Sequence, residues 1–158
     1  MIFKNNAPVE RINKTISYKL CNLLSFLKQA TSEYEKVAEE IENKDLRMAL
    51  RSIAVETNQY ANELSAQLKC FDIPHLSSLP KFNDYEVLEY IHSITTPAEG
   101  NNLSAICNES EHFLIGAYRD VLNEYIPFPF LKEIIATQLN GIKGAFMKIK
   151  LLDFIRFN

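Results

Sequence analysis

The chain reads as an all-α protein, a four-helix bundle of two antiparallel helical hairpins joined by a long crossover. Three observations predict this. Apolar residues recur at steps of three and four through four long segments, the spacing that gathers them on one face of a helix. Only four glycines occur in 158 residues, too few to punctuate a many-stranded sheet. Turn-forming residues concentrate in one long stretch, 72–101, and otherwise in two short ones. The length is one domain's worth, 1–158, enough to bury about two-thirds of the unfolded surface.

Residues 1–13 form an arm broken by Pro8. A helix starts near Asn13, a suitable N-cap. Its inward stripe is Ile16, Leu20, Leu23, Leu27, Tyr34, Ala38 and Ile41, with Thr31 in the one gap. Glu39, Glu40 and Glu42 crowd its last turn, against the helix dipole, so solvent is expected there. Glu42-Asn-Lys-Asp45 is a turn short enough to make the next helix an antiparallel neighbour. That second helix carries Leu46, Leu50, Ile53, Tyr60, Leu64 and Leu68 inward and ends around Phe71, before Pro74.

The crossover, 72–101, holds Pro74, Pro80, Pro97 and Gly100. Asn83-Asp-Tyr-Glu86 reads as a capping-box variant that opens one short helix through Val87, Leu88 and Ile91. A connector of this length can traverse the bundle, so the third helix can run parallel to the second. The third spans about Asn102 to Tyr125, with Leu103, Ile106, Leu114, Ala117 and Val121 inward. Pro127 and Pro129 mark a corner, and the fourth helix follows with Leu131, Ile135, Ile142, Ala145, Ile149 and Leu152 inward.

A net charge of −3 without a basic block argues against nucleic acid as a partner. No run approaches the roughly 18 apolar residues of a membrane span. The first residues carry no apolar h-region of a secretory signal. Three cysteines without C-x-x-C spacing suit a reducing compartment, so a cytoplasmic location is expected.

Three motifs come in order: Tyr34-Glu-Lys-Val-Ala-Glu-Glu-Ile41 followed by Asp45-Leu46; Glu56-Thr-Asn-Gln-Tyr-Ala-Asn-Glu-Leu64; and Cys107-Asn-Glu-Ser-Glu111 with Ala117-Tyr118 and Leu122. On these, across about 16–152, the chain resembles the bacterial ferritin-like four-helix-bundle proteins of unknown function, distant relatives of rubrerythrin. The resemblance implies a ferritin-like up-down bundle and a loose association with bacterial stress responses. It implies no established reaction.

A ferritin-like di-metal site takes one Glu from each of two helices and a Glu-x-x-His from each of the other two. Here Glu56 and Glu111 are expected at one depth, but Glu56-x-x-Gln59 has an amide in place of the imidazole. The first helix offers Thr31 and Ser32 opposite Glu56, unless Glu33 rotates in. The fourth offers Gly141 and Gly144, with Gln138 about one turn away. Phe146 stands where the resemblance implies a His. Two carboxylates without an imidazole make a poor transition-metal site, and two buried like charges repel.

The expected arrangement is therefore a hydrogen-bonded polar seam of Thr31, Glu56, Gln59, Glu111 and Gln138 without a cofactor. Tyr34 and Tyr60 are further possible partners for its two acids. The alternative is an iron or manganese centre on Glu56, Glu111 and Glu33, reducing dioxygen or peroxide. A third reading places an apolar ligand pocket beside Gly141 and Gly144.

Other candidates are weaker. His75 and His92 lie in the crossover without ligands at metal spacing. His112 points about 100° away from Glu111, and Cys107 and His112, five residues apart, do not face each other. Cys21 and Cys70 fall near one end of the first hairpin, where a disulfide is conceivable beside the ordinary role of small buried hydrophobes. The tail is apolar on more than one face: Leu151, Phe154, Ile155 and Phe157 cannot all point into one core, and Ile2 and Phe3 of the arm are unplaced. The expected function is that of a non-catalytic bundle acting through a homodimer or another protein partner.

Overall fold

A computed structural model describes residues 14–70 and 103–156. The expected arm and the crossover with its short helix lie outside the described residues, as do His75, His92 and Phe157. The described residues form α1 (Lys14–Glu40), α2 (Lys44–Cys70), α3 (Leu103–Leu122) and α4 (Pro129–Arg156), with no strand among them. No described helix is long and apolar enough to cross a membrane.

The ends follow local chemistry. Asn43 caps α2, its Oδ1 accepting from the Leu46 amide at 3.0 Å. Arg47 reaches back to the end of α1, donating to the carbonyls of Ile41 at 2.9 Å and Glu42 at 3.2 Å. A cation thereby meets the carbonyl end of the helix whose last turn is acidic. Pro129 opens α4 at a position where its missing N–H has no intrahelical partner to lose. The third helix is shorter than its pattern suggests. It stops at Leu122, and the Glu124 amide bonds the Val121 carbonyl at 3.0 Å in the turn that follows.

Each helix packs on two others: α1 on α2 and α3, and α4 on α2 and α3. Specific contacts give the directions. Along α1 and α3, Lys19 pairs with Asp120 and with Glu124 just past the end of α3, Phe26 with Phe113 and Tyr34 with Ser110, so rising numbers meet falling ones. Gln138 of α4 bonds both Tyr60 and Glu63, while Gly141 faces Glu56, so α2 and α4 are antiparallel too. Given the short α1–α2 and α3–α4 connections, α2 and α3 run the same way on one diagonal. The chain between Cys70 and Leu103 therefore joins opposite ends of the bundle.

The core is the sum of the inward stripes. Ile16, Leu20, Leu23, Leu27, Leu46, Leu50, Ile53, Leu64, Leu114, Val121, Leu131, Ile135, Ile142 and Ile149 are all buried. Each such side chain contributes about 1.5–3 kcal/mol over its exposed state. Ile41, Tyr60, Ala117, Ala145 and Leu152 pack at the rim.

Candidate functional site: the polar seam

Polar side chains interrupt the apolar stripes at the middle of the bundle, where they bond within and between the helices. Between α1 and α2, Thr57 is fully buried. Its Oγ1 donates to the Ala54 carbonyl at 3.0 Å and lies 2.8 Å from Thr31 Oγ1, itself 3.0 Å from the Leu27 carbonyl. Two hydroxyl protons serve three contacts, so one threonine bonds its own helix while the other bonds across.

Where α2 faces α4, Tyr60 Oη donates to Glu56 Oε2 of the same helix at 2.5 Å, a charge-assisted bond spanning one turn of α2. Burial first, then this bond and the charge of Glu56, raises the Tyr60 phenol above its ordinary range and keeps it a donor. Gly141 makes room for the pair. A Cβ at 141 would overlap the Tyr60 hydroxyl and stand 2.8 Å from Glu56 Oε2.

The most buried part of the seam joins α2, α3 and α4. Gln138, 1% exposed, accepts from Tyr118 Oη at 2.9 Å and donates to Glu63 Oε1 at 2.7 Å and to the Tyr60 carbonyl at 3.3 Å. Desolvation raises the Tyr118 phenol, with smaller contributions from Tyr60, Glu63 and Glu56. A protonated phenol is what the Gln138 oxygen requires as a partner.

Glu111 takes a different partner. Lys150 of α4 holds it at 2.5 Å. Cys107, one turn earlier on α3, is buried, and its thiol is pushed up to about 12 by burial, then by Asp153 and Glu111, with Lys150 opposing. Tyr34 and Ser110 share a hydroxyl–hydroxyl bond between α1 and α3. The Tyr34 ring meets Phe146 edge-on at 5.9 Å across the core.

Of the residues expected in the seam, Thr31, Glu56, Glu111 and Gln138 are half-buried or buried and bonded to protein partners. Gln59 is exposed, against expectation. A step of three residues turns it about 60° beyond Glu56, away from Thr57 and off the buried stripe. Glu33 pairs with Lys36 at 3.6 Å rather than turning towards Glu56. Gly144 is exposed and open, and Gly141 is filled by Tyr60, so the two glycines do not line a shared pocket. Cys21 is buried, Cys70 exposed, and the two are not bridged. His112 is exposed.

Tyr118, Glu63, Thr57, Ser110 and Lys150 were not expected. A signal for the first existed: Tyr118 and Gln138 stand ten residues before and after Phe128, the centre of the Pro127–Pro129 corner, so folding the hairpin there brings them level.

The carboxylates proposed as ligands do not fit a two-metal centre. Each is engaged by a different group: Glu56 by Tyr60, Glu111 by Lys150 and Glu33 by Lys36. The ammonium of Lys150 already neutralises Glu111, where a bridging carboxylate would meet a cation. Among the described residues, no three His, Cys, Asp or Glu side chains gather at metal-binding distance. Comparison with protein-family models, curated proteins and solved structures finds no match for this chain.

Proposed function

We propose that this protein is a non-catalytic ferritin-like bundle that acts by binding protein, either itself or a partner. One observation carries the reading: α4 is apolar on two opposite sides. Ile142, Phe146 and Ile149 fill the core, while Met147, Leu151, Phe154 and Ile155 are exposed. A helix that is apolar all round is normally covered all round. Such an exposed apolar patch lies towards the upper end of what monomers expose, where patches often serve binding. The seam supports the same reading, because its acids are bonded to protein groups and serve to align helices.

The resemblance of its three motifs to those of the bacterial ferritin-like proteins is what supports the fold name and the stress-related setting in this reading. The cysteine usage supports a cytoplasmic one. Light scattering after size-exclusion chromatography, over a range of protein concentrations, tests the association. The expected mass exceeds that of one 18.2 kDa chain. A strict monomer at high concentration that captures no partner would refute the proposal.

A further inference from the structure

Resting on the association reading, we propose that the partner is a second copy of this chain, docked along the outward stripe of α4 about a two-fold axis. The outward face of α4 changes character halfway. Glu133, Thr137 and Asn140 are exposed in the first half. Gly144, Met147, Leu151, Phe154 and Ile155 follow at steps of three and four in the second. The last four are 69%, 58%, 65% and 56% exposed. They present on the order of 500 Å² of apolar surface, and two copies face to face would remove about 1,000 Å², the threshold of a specific interface.

The stripe is also complementary to itself. A two-fold interface pairs residue i with j and j with i. Two antiparallel α4 helices crossing at the level of Ile149 set Gly144 against the second copy's Phe154, and Met147 against its Leu151. Gly144 carries no side chain into this pairing, and the space above it is open. An aromatic ring seated over it lets the helices approach closely. Lys148, exposed at the margin of the stripe, falls at the rim, where its stem can cover apolar surface and its charge stays in water. Among the described residues the stripe itself is uncharged, and the exposed charge at its edge is that of Lys148.

The experiment pairs mass with register. Leu151→Glu enters a two-fold interface twice, so it should weaken association by about a hundredfold or more and leave a monomer of unchanged helix content. In a Cys70→Ser background, which removes the exposed thiol, Gly144→Cys with Phe154→Cys should form a disulfide-linked dimer under mild oxidation. Thr137→Cys with Phe154→Cys should not. A dimer whose mass ignores Leu151→Glu, or one lost without the expected disulfide pattern, overturns this arrangement and leaves association through another surface. A monomer that Leu151→Glu destabilises also overturns it, since a segment of the same chain then covers the stripe. A monomer indifferent to the substitution, with no partner captured, overturns both this inference and the association reading.

Discussion

Gly141→Ala is the sharpest test of the seam, because helix propensity and packing predict opposite signs. In an exposed helix interior the change would stabilise by about 1 kcal/mol. At 141 the new methyl overlaps the Tyr60 hydroxyl, lies 2.8 Å from Glu56 Oε2 and 3.1 Å from Tyr60 Cζ. Moving the ring aside costs about 1–3 kcal/mol of overpacking. It also breaks the bond to Glu56, worth about 1 kcal/mol at this half-exposed site after solvent screening. The net expectation is a loss of about 1–3 kcal/mol, or roughly 3–10 °C in the thermal midpoint of a chain this size.

Urea unfolding followed by circular dichroism measures it, with two controls. Gly116→Ala on α3, exposed with nothing within 4 Å, should gain up to about 1 kcal/mol. In a Tyr60→Phe background the overlapping oxygen is gone, and the cost of Gly141→Ala should fall below about 1 kcal/mol. A Gly141→Ala protein as stable as the parent would refute the packing argument. An unchanged cost in the Tyr60→Phe background would place its cause elsewhere.

Four further outcomes follow from the same contacts. Tyr118→Phe and Gln138→Leu should each cost about 1–3 kcal/mol, and the double variant less than their sum, because each single change strands a buried partner; strict additivity in urea unfolding would sink this pairing. Cys70 should alkylate readily in the native protein. Cys107, with a thiol near 12 against an ordinary 9, has about a thousandfold less thiolate at pH 8 and should react only on unfolding, as mass spectrometry of native and denatured samples would show. The raised Cys107, Tyr60 and Tyr118 groups hold protons in the fold that the unfolded chain releases, so stability should be full below about pH 8.5 and fall above it, less steeply past pH 10 in Tyr118→Phe. Protein prepared without chelator should retain less than about a tenth of an equivalent of iron or manganese by elemental analysis; more than one equivalent, lost in Glu56→Ala, would restore the oxidase reading.

Periodicity carried the fold. The stripes through Leu20, Leu23, Leu27, Leu46, Leu50, Ile135 and Ile142 are buried, because burial in a bundle follows angular position on the helix. The seam was half legible. Counting from the turns located Thr31 and Gln138, and Tyr60 was among the possible partners of Glu56. It did not show that Thr31 would bond Thr57, next to Glu56, because one residue is 100° of rotation and a pattern of mixed apolar and polar residues does not fix rotation that finely. Gln59 was misplaced for the same reason. Lys150 was missed because a lysine reaches over a turn or more to its partner, so the register that levels Glu111 with position 145 does not name it.

The rotation of α4 links the seam to the outward stripe. Apolar residues are spread more evenly around α4 than around the other three helices. Burial already weighs against turning it: a one-residue turn would put Met147 in the place of Phe146 but Lys143 and Lys150 in the places of Ile142 and Ile149. Directional contacts do not permit it either. Gln138 must meet both Tyr118 and Glu63, Gly141 must face Tyr60 and Glu56, and Lys150 must reach Glu111. Each would be lost on a rotation of 100°, at about 1–3 kcal/mol for every buried polar group left alone. The polar seam therefore reinforces the rotation that burial sets, with Ile142, Phe146 and Ile149 in the core and Met147, Leu151 and Phe154 outward. On this reasoning the carboxylates and amides that resemble a metal site without its ligands have a use that needs no metal: they add directional contacts that hold α4 in the rotation and register its apolar face already favours.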